Sequence, residues 1–322
     1  MHLPPDLTNA IARLLEGMPR KALAAAAQKM SAGYRRGTTS QAIVTPIEAA
    51  AYAVARMPAT YAACAAVFAR LMEVMPVFAP SSLLDVGAGS GAASWAAVTT
   101  WPGITSVTML DHNPALRALA RKLADTGPLA SAEILSGDLG ADKESADLVV
   151  ASYVLAELPQ DKAAGVAADL WRSVDGALAL IEPGTPDGFA RIRVARAALI
   201  AAGAHVAAPC THDNLCPMPG LNVRESDQQK DWCHFSQRLP RSRDHMILKE
   251  ASVPFEDERY SYVVVTREKI ARDARILAPP LEAKPGLTFK LCDEVGLRAQ
   301  FVAVRDKDEY RRVRKRGWGD LF

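Results

Sequence analysis

Apolar positions in the first 75 residues recur at helical spacing on an alanine-rich background, which predicts a wholly helical N-terminal domain over 1–75. Its clearest start signal lies in TPIEAAAYAVARMPATYAACAAVFARLMEVM. Thr45 is placed as a helix N-cap, Pro46 at the first helical position and Glu48 to close a capping box. Met57-Pro58 predicts a kink or break. Cys64 falls among alanines on the apolar side, where cysteine acts as a small buried hydrophobe. From Ser81 the pattern changes to short apolar runs separated by helical stretches. SSLLDV, ITSVTMLD, AEILSGDL, ADLVVASYV and GALALIEPG read as five strands, with a helix between Asp161 and Val174. That alternation predicts a parallel sheet with helices on both faces, over 76–205.

Residues 206–245 break the pattern. APCTHDNLCPMPGLNVRESDQQKDWCHF, from Ala208 to Phe235, holds three cysteines and two histidines among prolines and polar residues, with no clean periodicity. RYSYVVVTRE then returns as a strong core strand within 246–278, and LAPPLEAKPG reads as a linker. In the last unit, 279–322, LTFKLCDEVGLRAQFVAV reads as two strands around a turn near Glu294 to Gly296, followed by a basic, helix-like tail.

Composition narrows the classes. Of 322 residues, 49% are hydrophobic and 23% charged, as in a folded globular chain, and the net charge of +2 gives no global field toward nucleic acid. The opening MHLPPDLTNA lacks the basic-then-apolar layout of a secretory signal, and no apolar run approaches the ~20 residues a membrane helix needs. A cytoplasmic monomer with no membrane partner is the expectation. In that compartment the five cysteines are thiols or ligands rather than disulfides.

Between the first strand and its helix stands Asp85-Val-Gly87-Ala-Gly89-Ser-Gly91. Glycines there let the backbone approach a ligand, and Asp111, ending the second strand, is placed to hold ribose hydroxyls. The G-x-G-x-G spacing departs from the dinucleotide fingerprint and points to a cofactor without a pyrophosphate. The run LLDVGAGSG, LDHNP, SGDL and DLVVASYVLAEL resembles the Rossmann-like, seven-stranded S-adenosylmethionine-dependent methyltransferases, from about Ser81 to Gly184 and again at RYSYVVVTRE. The resemblance implies that Gly87, Gly89 and Gly91 flank the methionine part, with Asp85 just before them. It also implies that Asp111 holds the ribose and Asp138 lies beside the adenine. No catalytic residue is nominated. Ser152-Tyr153-Val154-Leu155-Ala156-Glu157 lacks the Asn/Asp-Pro-Pro-aromatic motif of base-amine methyltransferases. No cysteine lies near that strand end in sequence, and Glu157 reads as a helix-dipole acid as readily as a base.

The cysteine spacing is Cys210-x5-Cys216-x16-Cys233-x58-Cys292. Thiols close together in a loop and completed by a distant fourth suit a metal or iron–sulfur centre. Spacing alone does not choose between iron–sulfur and zinc, for which His212 and His234 are alternative ligands. PCTHDNLCP, DWCHFSQRLPR, YSYVVVTRE and YRRVRKRGWGDLF resemble the methyltransferase-like family associated with the small ribosomal subunit. Its best-known members act in mitochondrial ribosome assembly, and it has bacterial relatives. The similarity runs from about Tyr34 to Phe322, and it implies a 4Fe-4S cluster on Cys210, Cys216, Cys233 and Cys292. It further implies an assembly role in which methyl transfer is not required.

The tail from Arg305 to Arg316 holds seven Lys or Arg, with few compensating acids. A charge run is usually a solvated helix end, but the ribosomal resemblance implies that Arg311, Arg312, Arg314, Lys315, Arg316 and Trp318 contact ribosomal RNA by charge and stacking, with Arg238, Arg241 and Arg243 extending that surface. Two alternatives stand beside this reading. One is an active rRNA methyltransferase with a structural cluster, the other a small-molecule methyltransferase with a structural zinc site.

Overall fold

The change of period at Ser81 is a change of layer. The computed structural model describes residues 1–35, 39–137, 144–218 and 231–322. Ahead of Ser81 lie α1 (Pro5–Leu15), α2 (Arg20–Arg35), a 3-10 turn at Ser40–Ala42, α3 (Pro46–Ala55) and α4 (Met57–Val74). The capping box forms: Thr45 Oγ1 accepts from the Glu48 N–H at 3.3 Å, and Glu48 Oε2 accepts from the Thr45 N–H at 3.1 Å. Met57-Pro58 gives a full break rather than a kink, because Arg56 leaves helical geometry with φ −126°. Cys64 is completely buried, as expected.

After Ser81 come β1 (Ser82–Val86), α5 (Ala92–Thr100), β2 (Ser106–Asp111), α6 (Pro114–Ala124), β3 (Glu133–Ser136) and β4 (Ala146–Ser152). They are followed by α7 (Ala163–Trp171), β5 (Val174–Pro183), α8 (Pro186–Ala201), β6 (His205–Ala208), β7 (Phe235–Pro240), α9 (Arg243–Leu248) and β8 (Phe255–Thr266). The sheet order is β3-β2-β1-β4-β5-β8-β6, with β7 also on β8. The first five strands are parallel and β8 runs antiparallel to β5. This is the strand order of the Rossmann-like methyltransferase fold. Period 2 divides the core: Leu83, Leu148 and Val150 pack with α4, α5 and α6, whereas Leu84, Val149 and Leu178 pack with α7 and α8.

The outer edge of β8 is shared by two strands. β6 pairs with it at Val264–Thr266 and β7 at Phe255–Tyr260. The chain therefore leaves the sheet after Ala208 and returns at Phe235, inside the segment read as a separate insertion. Gln237, between buried Phe235 and Leu239, interrupts the apolar alternation that would have marked β7.

A second sheet combines β9 (Arg275–Ile276), β10 (Leu281–Ala283), β11 (Gly286–Asp293) and β12 (Gly296–Ala303), and α10 (Lys307–Val313) follows it. The β11–β12 hairpin turns where expected, pairing Asp293 with Gly296. Two strands escaped the sequence pattern. β9 is only two residues long, and β10 lies in the proline-rich stretch with its side chains exposed. The core of this unit is Ile276, Leu287, Phe289, Leu291, Val302 and Val313. No helix among the described residues is long and apolar enough to cross a membrane.

Candidate functional site

A cleft of about 890 Å³ opens at the carboxyl ends of β1, β2 and β4 and is closed from above by the N-terminal helices, within the size range of small-molecule sites. Gly87, Gly89, Asp111, His112 and Gly137 line the sheet side, and Tyr52, Arg56 and Thr60 the helical side. The turn at its floor is held by β2: the N–H groups of Gly87 and Ala88 donate to the Leu110 carbonyl at 2.8 and 3.0 Å. The Gly89 N–H donates to Asp111 Oδ2 at 2.7 Å, while Asp111 Oδ1 accepts from the Asn113 N–H at 2.7 Å. Gly87 adopts φ +71°, and a Cβ there would meet Val154 Cγ2 at 2.4 Å. Only glycine satisfies both the conformation and the approach.

Two expected cofactor residues do not line this cleft. Asp85 is fully buried beneath the turn, where its Oδ2 accepts from the Ser94 N–H and hydroxyl at 3.1 and 2.7 Å. Burial raises its carboxyl to about 7 despite those bonds. It is an anchor for α5, because a carboxylate on the last inward-facing position of β1 meets the start of the next helix. Gly91, with φ +83°, is the N-cap of α5, and a Cβ there would press on Met109 Sδ at 3.2 Å. Its glycine serves the turn. Asp138 lies outside the described residues, although its neighbour Gly137 lines the cleft.

Tertiary structure adds residues that sequence patterns missed. Asn113 caps α6 with Oδ1 and uses Nδ2 to donate to the carbonyls of Ser40 and Ile43 at 2.9 and 3.0 Å. The Ser40 N–H and hydroxyl in turn donate to the two Glu157 oxygens at 2.9 and 2.8 Å. Glu157 thus ties a strap over the cleft, a role neither of its sequence readings contained. Tyr153 stands at φ 62°, a left-handed conformation that strains a non-glycine residue. Its hydroxyl donates to Glu258 Oε1 at 2.7 Å, and Arg56 forks onto the same carboxylate at 3.2 and 3.1 Å while lying 5.0 Å above the Tyr153 ring. Burial, then the nearby Glu258 charge, hold the Tyr153 phenol well above its ordinary range. Behind it Glu182, raised to about 8 by burial, accepts from the Leu155 and Ala156 N–H groups at 2.8 and 2.9 Å. An acid inside the apolar run LALIEP was the signal available for it. Cys64 is the fold's correction to linear distance. It reaches Ser152 at the end of β4, but burial pushes its thiol far up and leaves it inert.

The other four cysteines come together. Cys210, Cys216, Cys233 and Cys292 line one cavity, and all are free thiols. Cys210 follows β6 and Cys233 precedes β7, so the shared edge of β8 brings both to one seam; Ser261 of β8 donates to the Cys233 carbonyl at 2.8 Å. Cys292 comes from β11, opposite Arg275. Burial and then the neighbouring cysteines push the Cys233 thiol well up, and Cys292 to about 12. Among the described residues, no three His, Cys, Asp or Glu side chains form a group able to hold a metal ion. His212 is buried with Nε2 3.6 Å from Cys292 Sγ. His234 stacks on Trp232 at 5.0 Å and does not line the cavity.

The basic tail is more compensated than its sequence suggested. Arg311 pairs with Asp308 at 3.3 Å and Arg312 with Glu309 at 2.7 Å, one helical turn apart. Arg314, Lys315 and Arg316 are exposed. Trp318 is half-buried against His234 and Phe235, at 5.0 and 6.4 Å. Arg238 is bound by Asp257 and Arg241 by Glu256, acids of β8, which weakens the proposed extension of the basic surface.

The sheet order and the glycine turn under the cleft define a methyltransferase-fold α/β protein. The family model described as "Mitochondrial small ribosomal subunit Rsm22" matches residues 46–322, and the chain belongs to that family. Human mitochondrial ribosome assembly protein METTL17 is 28% identical over 295 residues, covering 84% of this chain and 61% of the relative. The mitochondrial Rsm22-cox11 tandem protein 2 of Schizosaccharomyces pombe is 28% identical over 337 residues, covering 87% of this chain and 43% of that protein. The chain thus spans less than two thirds of either relative. Among solved structures, magnesium protoporphyrin IX methyltransferase from Synechocystis with bound SAM is 15% identical, with TM-score 0.41, covering 65% of this chain and 80% of that one. The fold class rests on the strand order rather than on that likeness.

Proposed function

We propose that this chain is a ribosome-assembly protein that binds S-adenosylmethionine in the cleft, carries a 4Fe-4S cluster on Cys210, Cys216, Cys233 and Cys292, and contacts small-subunit ribosomal RNA. The observation that carries the reading is the convergence of four free cysteines from separate segments on one cavity, in a chain of this family. A single zinc ion draws its sulfurs to ~2.3 Å from one point. The choice of a polynuclear centre over a single zinc rests on the family resemblance and on four thiols lining one cavity. When bound, such a centre would join the insertion, the β8 edge and the small sheet through thiolate bonds. Five free cysteines suit a reducing, cytoplasmic setting.

In the cleft, Gly87 and Gly89 would let the cofactor approach the backbone, and Asp111 retains lone pairs for ribose hydroxyls. The carboxylates lining the cleft are Asp111 and Glu157. The first is engaged by backbone and the second by Ser40. Tyr153 donates inward to Glu258. His112 also lines the cleft, so cofactor binding in assembly is the reading and methyl transfer its alternative.

The test is anaerobic purification of wild type and Cys292→Ser, with visible absorption and iron, sulfide and zinc analysis. Iron, sulfide and broad visible absorbance in wild type, lost in the variant, are expected. Stoichiometric zinc without colour would replace the cluster with a zinc staple.

A further inference from the structure

The cysteine cavity contains two buried cations that the described residues around it do not fully satisfy. Arg196 and Arg275 both line it, and they are 5% and 0% exposed. Arg196 arrives on α8, whose Phe189, Ile192 and Arg193 also face the cavity, the spacing of one helical face. Its Nη2 donates to the His212 carbonyl at 2.7 Å, and its Nε has no partner among the described residues. Arg275 stands directly opposite Cys292 in the β9–β11 ladder. Its Nε donates to the Pro209 carbonyl at 3.1 Å, beside Cys210, and its Nη1 reaches Gly319 O at 2.9 Å and Glu73 at 2.8 Å. Its Nη2 is likewise without a partner among the described residues.

A guanidinium cannot shed its proton to escape burial, so an unmet N–H there is costly. Neutral thiols give no reason to place two such groups at this cavity. A centre held by four thiolates does, because it is anionic overall and its sulfurs accept hydrogen bonds. We propose that Arg196 and Arg275 supply the counter-charge of the centre, donating to its sulfurs and setting its reduction potential. The proposal rests on the cluster reading above. Net charge and hydrogen bonds at sulfur both act on potential. Positive neighbours favour the reduced, more negative form, so removing one lowers the potential. Arg196 should matter more, since Glu73 already shares the charge of Arg275.

The experiment is an anaerobic redox titration of the full chain, followed in the visible spectrum, on wild type, Arg196→Met, Arg196→Lys and Arg275→Lys. Iron and sulfide per chain and thermal unfolding are measured alongside. Arg196→Met should shift the oxidised-to-reduced ratio at least tenfold toward oxidised, which is ~59 mV for a one-electron couple. Arg196→Lys and Arg275→Lys, which keep the charge, should stay well within that shift. If Arg196→Met does not fold, Arg196→Gln is read in the same way. A folded Arg196→Met that has lost its iron, while Arg196→Lys keeps it, also supports the proposal. Full iron with an unchanged potential in Arg196→Met overturns it. Wild type without iron and sulfide overturns the cluster reading, and this proposal with it.

Discussion

The cleft and the cysteine cavity lie on one sheet but are built from different materials. The cleft takes Gly87 and Gly89 from one turn and Asp111 from the adjacent strand end, and its polar groups satisfy one another: Gly89 and Asn113 meet Asp111, and Ser40 meets Glu157. The cavity takes side chains from Cys210 to Cys292, and leaves thiols buried or half-buried and guanidinium N–H groups without described partners. The first site is complete before anything binds. The second is a socket whose own electrostatics are unfavourable until it is filled. Two sites in one fold can therefore respond to different degrees to loss of their ligands.

The largest expected effect follows from that contrast. Cys233→Ser should abolish iron and sulfide binding and lower the unfolding midpoint in urea substantially, since a bound centre contributes its binding free energy to folding. Withholding S-adenosylmethionine should move that midpoint only as mass action requires. Equal shifts would break the comparison.

Gly87→Ala comes next. Positive φ and contact with Val154 together should cost about 1–3 kcal/mol and weaken cofactor binding at least tenfold by calorimetry. Adding Val154→Ala should recover the steric part but not the backbone strain.

A smaller effect is expected from pH. Glu182 is raised by burial from 4.5 to about 8, so the folded state holds this proton more tightly than the unfolded chain does. Its contribution is greatest at low pH and is lost as pH rises from about 4.5 to about 8, with a limiting slope of ~1.4 kcal/mol per pH unit. Urea titrations at pH 5, 6.5 and 8 should show Glu182→Gln flattening the decline seen in wild type. An identical slope in both would remove Glu182 as its source.

Ser40→Ala, which releases one bond of the strap, should cost about 1 kcal/mol and weaken the cofactor a few-fold. The smallest effects belong to the tail. Lys315→Ala should weaken RNA binding modestly and lower its salt slope by ~0.7–0.9. Trp318→Ala should destabilise the fold by unpacking His234 and Phe235 more than it weakens RNA binding.

Much of the fold was legible because backbone demands fall on contiguous residues. The capping box, the alternating strands and Gly87 each announce a local conformation. β7 was hidden because Gln237 dilutes its apolar face, and its pairing partner β8 begins 15 positions after its last residue. The burial of Asp85 beneath the turn is not legible in sequence, because a position beside the glycine turn looks the same whether the side chain points to the cleft or under it. Sequence does not show which aromatics a fold packs together, so the contact of Trp318 with His234 and Phe235 was not legible in it.

By itself, the sequence determined which residues must be glycine, where strands and helices alternate, and that cysteines gather in a loop. Those features depend on local dihedral preference and on the period of burial. The tertiary structure alone decided that two arginines share the cavity of the four cysteines. It also decided that Glu157 binds a strap and that Tyr153 turns inward to Glu258. These contacts join residues far apart in the chain, and they exist only once β8 has taken β6 and β7 along one edge and the small sheet has brought Cys292 to that seam.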